Sequence, residues 1–132
     1  MKQEDKNLLL EDLCARLPYG VILNVTLKDK YDEIVNRDIK MSDGNLTYIT
    51  RDSHWKTYKP YLRPMSSMTE EEENLFSTFR TQIRAMNNYN DFAKECNKLI
   101  DWLNKKMFDY RGLIPKGLAL EAPEGMYKIE ER

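Results

Sequence analysis

Apolar residues recur at helical spacing in the first segment, where Leu9, Leu10, Leu13, Cys14 and Leu17 fall on one stripe between Asp5 and Leu17. That spacing predicts a short amphipathic helix. Acidic residues come early and Arg16 late, as the helix dipole prefers, and Pro18 followed by Tyr19-Gly20 ends the helix and turns the chain. From Val21 to Leu62 the period falls to two. Val21, Leu23, Val25 and Leu27 alternate with Ile22, Asn24, Thr26 and Lys28, which is a strand pattern. Ile34-Val35 and Ile39-Lys40-Met41 supply the apolar parts of a second strand, interrupted around Asn36-Arg37-Asp38. Asp43-Gly44 marks a hairpin turn, because glycine tolerates positive φ, and Leu46 to Thr50 follows as a third strand. Trp55 to Leu62 reads as a fourth, whose end Pro60 confines to an edge. Four short strands joined by tight turns predict a small antiparallel sheet or an SH3-like partial barrel.

After a linker from Pro64 to Met68 the helical period returns. Thr69 caps a helix that opens with four glutamates, and Glu72, three residues on, completes a capping box. Leu75, Phe76, Phe79, Ile83 and Met86 mark one face as far as Asn87. Asn90 or Asp91 is expected to cap a second helix, with Phe92, Cys96, Leu99, Ile100, Leu103 and Met107 as its stripe. A short connection makes the two helices antiparallel neighbours, and mid-stripe Phe79 and Leu103 are expected to be buried. Beyond Met107, Gly112, Pro115 and Gly117 forbid a helix, yet the apolar content calls for an ordered loop with a short strand at Leu118 to Leu120. Glu121 to Arg132 reads as a charged, frayed end. The fold class is therefore α+β, in one domain spanning 1–132: a helix plus small sheet (1–68), a helical hairpin (69–108), and a C-terminal loop and tail (109–132).

Composition narrows the function classes. The 132 residues are 41% hydrophobic and 33% charged, with 21 basic against 22 acidic side chains and a net charge of -1. A whole-surface nucleic-acid binder would be clearly basic, so any such contact must be local. No apolar run approaches the ~20 residues of a membrane span, and Leu8-Leu9-Leu10 is too short for a secretory signal. Cys14 and Cys96, without a CxxC or a neighbouring histidine, read as buried, reduced thiols of a cytosolic protein.

Catalytic chemistry finds no support in the residue pattern. His54 is the only histidine and pairs with no serine motif, so it reads as a surface or turn residue. The scattered glycines build no phosphate loop, and the four glutamates are helix-start chemistry rather than a metal site. No cofactor is expected. Two constellations carry binding chemistry. Arg51, His54, Trp55, Lys56, Tyr58, Lys59, Tyr61 and Arg63 interleave cations with aromatics, a pattern that can hold phosphates while rings stack on bases. The competing structural reading makes the aromatics sheet core and the cations a solvated face. Strand alternation places 55, 59, 61 and 63 on one face, and 56 and 58 on the other. The second is Asp109-Tyr110-Arg111-Gly112. There Asp109 and Arg111 either pair to fix the loop or, with Tyr110, form a recognition loop on a rigid scaffold.

Three long strings carry a resemblance. Glu11 to Val21 (EDLCARLPYGV), Lys59 to Thr69 (KPYLRPMSSMT), and Phe108 to Pro115 (FDYRGLIP) continuing through Glu124-Gly125-Met126-Tyr127 resemble a family of small uncharacterised proteins encoded by phages and prophages of gut Bacteroidales. The resemblance implies a bacterial cytoplasmic setting and a phage-linked role, and brings no catalytic residues with it. The expected function is a non-enzymatic binding module, a phage accessory or counter-defence protein that occupies a host protein or a small anionic signal molecule. The alternative is a nucleic-acid-associated protein that uses the 51–63 segment.

Overall fold

The computed structural model describes residues 2–28, 31, 33–41 and 56–127, with Lys56 described by its backbone. Helix α1 (Gln3–Arg16) leads through a 3-10 turn (Leu17–Tyr19) into β1 (Ile22–Lys28). Gly20 makes that turn in the left-handed region, at φ 74°. That conformation favours glycine, while the one close neighbour of an added Cβ, the flexible end of Lys40, could move aside. β2 (Ile34–Lys40) runs without the interruption expected at 36–38: Asn36 and Asp38 sit opposite Thr26 and Asn24 on the outer face, and Arg37, opposite Val25, is exposed like them. β3 (Lys56–Leu62) pairs with the other side of β1, giving the order β2-β1-β3-β4, where β4 is Leu120–Glu121. The expected strand at Leu46 to Thr50 lies outside the described residues.

The sheet departs from the antiparallel expectation at one edge. β1 pairs antiparallel with both neighbours, but β4 is parallel to β3, through Tyr61↔Leu120 and Leu62↔Glu121. A parallel neighbour needs a long crossover, and here the whole helical hairpin supplies it. Pro60 pairs with Leu23 on the β1 side, and β4 begins beyond it only at Tyr61. Among the described residues, the proline therefore meets no partner strand on its far side, as its missing N–H requires.

Alternation along β1 is as expected. Val21, Leu23 and Val25 are buried, while Asn24 and Thr26 join the polar outer face. The core lies between the inner face of the sheet, α1 and the segment from Met107 to Ala119, with Leu13, Leu23, Leu62 and Leu113 fully enclosed. The buried face of α1 is Leu9, Asp12, Leu13 and Arg16, not the purely apolar stripe. Turning that face inward leaves Cys14 exposed, and Cys96 is half-buried, so neither thiol is the enclosed one expected.

Helix α2 (Glu70–Ala85) starts with the capping box. Thr69 Oγ1 accepts from Glu72 N, and Thr69 N donates to Glu72 Oε1. Helix α3 (Tyr89–Lys105) is capped earlier than expected, by Asn88, whose Oδ1 accepts from Asp91 N. The hairpin is held by Trp102, whose ring lies 5.8 Å from Phe79, 6.5 Å from Phe76 and 5.6 Å from Phe108. Leu103 is buried as expected, but Phe79 is only half-buried, because α2 touches α3 along one seam and no residue of α2 is buried.

The end of α3 is a Schellman motif, with Phe108 N donating to Leu103 O and Met107 N to Asn104 O. Its left-handed position is Met107 at φ 62°, where glycine is usual. The left-handed conformation costs about 1–2 kcal/mol, offset by a side chain only 1% exposed in the core. Glu121 to Tyr127 is not frayed. Ala122 N donates to Leu62 O, and Tyr127 Oη accepts from Ile22 N while donating to Tyr61 O. Burial there pushes the Tyr127 phenol up to about 12.

Candidate functional site

The chain leaving α3 is stitched to the chain leaving β3. Arg63 N donates to Met107 O at 2.7 Å, and Asp109 N donates back to Arg63 O at 2.8 Å. This crossing brings Phe108, Tyr110 and Arg111 against the inner face of α1, where a buried polar cluster forms. Arg16 donates from Nε and Nη2 to both oxygens of Asp12, at 2.9 and 3.0 Å, with both side chains fully enclosed. Its Nη2 also donates to Phe108 O, while Nη1 meets no acceptor among the described residues. Arg111 reaches the same carboxylate, Nη1 to Asp12 Oδ1 at 2.9 Å. Tyr110 lies beneath both guanidiniums, 4.6 Å from that of Arg111 and 5.4 Å from that of Arg16, and its hydroxyl donates to Asn104 Oδ1. Burial raises the phenol's pKa, opposed by the two cations.

The expected Asp109–Arg111 pairing is therefore corrected. Asp109 accepts from the backbone N–H groups of Leu113 and Ile114, tightening the loop, and Arg111 pairs with Asp12 across 99 residues of sequence. The loop backbone offers Asp109 two N–H donors, at 2.8 and 2.9 Å, and Arg111 finds an enclosed carboxylate instead. Asp12, Arg16 and Asn104 were absent from the sequence-based candidates. The only signal was an Asp and an Arg at i,i+4, which also describes an ordinary surface pair.

Of the 51–63 constellation, Arg51, His54 and Trp55 lie outside the described residues, as does the side chain of Lys56. Tyr58 packs against the core from the inner face. Lys59 and Tyr61 take the outer face, where Asn24 pairs with Lys59 across the strands and Tyr61 Oη donates to Asp38 Oδ1 at 2.9 Å. Arg63 goes elsewhere. Its guanidinium lies 4.2 Å from the centre of the Phe108 ring and donates to both oxygens of Glu72, at 2.8 and 2.7 Å. Alternation thus separates Tyr58 from Lys59 and Tyr61, and Glu72 takes up Arg63.

The Arg63–Glu72 pair forms one wall of a groove of about 610 Å3. The end of β3, the start of α2, Lys106 and the segment from Glu121 to Tyr127 enclose it. Among the described residues, four carboxylates line the groove, those of Glu71, Glu72, Glu121 and Glu124, against two cations, Arg63 and Lys106. The capping box takes up the N–H groups of Thr69 and Glu72, and the glutamates of the first turn put negative charge at that helix end. Arg63's hydrogen bonds hold the Glu72 carboxyl at about 2, against an ordinary 4.5. A depressed carboxylate stabilises the fold fully above about pH 4.5, and that stabilisation is lost as the pH falls towards 2. Both side chains keep some solvent contact, 21% and 12%, so the contribution is ~1–2 kcal/mol after screening. Glu72→Gln keeps the capping-box acceptor and removes the charge. Thermal melts from pH 6 to 2 should show a flatter acid limb for the variant, and an identical limb would refute the pairing.

Among the described residues, no helix is long and apolar enough to cross a membrane, and no group of His, Cys, Asp and Glu side chains could hold a metal ion. Comparison with family models, curated proteins and solved structures gives no match.

Proposed function

We propose that the protein is a non-enzymatic binding module whose groove takes a cationic segment of a partner protein. The charge balance of the groove carries this reading. Glu72 and Arg63 neutralise each other, which among the described lining residues leaves Glu71, Glu121 and Glu124 with Lys106. The hydroxyls that could serve as nucleophiles are committed. Ser67 Oγ donates to Pro64 O, Thr69 Oγ1 accepts from Glu72 N, and Tyr127 Oη bridges Ile22 and Tyr61. Among the described residues, an anionic signal molecule or a nucleic acid would meet the surplus carboxylates with Lys106 as the unpaired cation of the groove, a poor match for phosphates. The resemblance of the three long strings supports the setting: the bacterial cytoplasm, a phage or prophage accessory or counter-defence role, and a host protein as the partner.

Fluorescence anisotropy with labelled decalysine, decaglutamate and a single-stranded oligonucleotide tests the charge preference. Decalysine should bind, weaken with salt, and lose roughly tenfold or more in affinity to the Glu71→Gln/Glu121→Gln/Glu124→Gln variant. Preference for decaglutamate or the oligonucleotide, or unchanged decalysine binding by the variant, would overturn the reading.

A further inference from the structure

The segment from Ala122 to Tyr127 forms one side of the groove and brings Glu124 to it. It meets the body of the protein at its two ends. At the first, Ala122 N donates to Leu62 O at 2.8 Å, prolonging the two-residue pairing of β4 with β3. At the second, the Tyr127 hydroxyl accepts from Ile22 N at 2.9 Å and donates to Tyr61 O at 2.7 Å. Between these ends Pro123, Glu124 and Gly125 are exposed. Among the described residues, the hydrogen bond made there is internal, from Met126 N to Pro123 O, and it closes a turn with Gly125 at φ 81°. The segment is therefore a folded strap held at two points.

The second point is a side chain in the place of a backbone rung. β1 and β3 pair from Leu27↔Lys56 to Leu23↔Pro60, so the next rung would join Ile22 to Tyr61. The phenol takes that rung, standing between the N–H of one strand and the C=O of the other. When it leaves, water can satisfy both groups, so release strands no backbone group and need not open the sheet. We propose that Tyr127 is the latch of the groove, a positioning residue whose hydroxyl holds the strap so that Glu124 faces the ligand. A cationic ligand that binds the latched state more tightly must in turn favour latching. The ligand's part rests on the cationic reading of the groove; the latch itself does not.

Hydrogen exchange of the ligand-free full chain tests the latch. The Ala122 amide should exchange faster than the amides inside the β1–β3 ladder, and faster again by roughly tenfold in Tyr127→Phe. An Ala122 amide that exchanges in step with the ladder in wild type shows that the strap does not open by itself, and overturns the proposal. So does an Ala122 rate unchanged by Tyr127→Phe. Decalysine affinity tests the coupling. Tyr127→Phe keeps the ring and alters no charge, yet should weaken binding roughly threefold, as much as Glu124→Gln. The double variant should bind no more weakly than Glu124→Gln alone. Additive losses would mean that the hydroxyl meets the ligand itself, and would overturn the positioning role. If decalysine does not bind wild type, the cationic reading of the groove falls while exchange in the free protein still decides the latch. If Tyr127→Phe does not fold, the wild-type exchange rates still decide.

Discussion

Replacing Asp12 by Ala is expected to destabilise the protein by about 3–5 kcal/mol, because it strands a buried guanidinium. Asp12 accepts from Arg16 at two oxygens and from Arg111 at one, and both Asp12 and Arg16 are 0% exposed. Without the carboxylate, Arg16 keeps a single acceptor, Phe108 O, and its Nη1 is already unmatched among the described residues. Arg111 suffers less, since its side chain is 18% exposed and can turn towards water. The expected cost belongs to breaking the pair and is no measure of the pair's own worth. Asp12→Leu with Arg16→Met removes both charges while retaining bulk, and should recover most of the loss. Urea unfolding with a constant slope would measure both. A cost below about 1 kcal/mol for Asp12→Ala would show that Arg16 finds another acceptor or water.

Phe108→Ala should cost about 3–5 kcal/mol, the range for deleting a fully buried aromatic ring. Phe108 is 0% exposed and fills the junction where α1, the end of β3 and the hairpin meet. Its ring lies against Trp102 on one side and the Arg63 guanidinium on the other. The loss therefore has a structural signature beyond stability. The Trp102 contribution to near-UV circular dichroism should fall, because one of its three aromatic neighbours is gone. Phe108→Leu should cost less than half as much, since it leaves a smaller cavity. Equal costs for the two variants would mean that the site is filled by rearrangement and that the ring does not fix the junction.

Features that depend on neighbours a few residues apart were legible along the chain. The alternation from Val21 to Val25 chose the inner face of β1, because successive side chains on a strand point to opposite sides. Thr69 and Glu72 started α2 through hydrogen bonds spanning three residues. Gly112, Pro115 and Gly117 kept the C-terminal segment out of a helix while its leucines kept it on the core. The tertiary structure alone decided the partners of charged side chains. Asp12 and Arg16 look like a surface pair until the chain at 108–111, nearly a hundred residues on, closes over them. Arg63 belongs to Glu72, and Asp109 to two backbone amides, because the crossing of two chain segments sets which donors and acceptors are in reach. The direction of β4 and the half-open hairpin have the same origin. Period and capping act within one turn or one strand and can be read locally. Burial and ion pairing depend on which distant segments arrive, and only the packed chain brings them together.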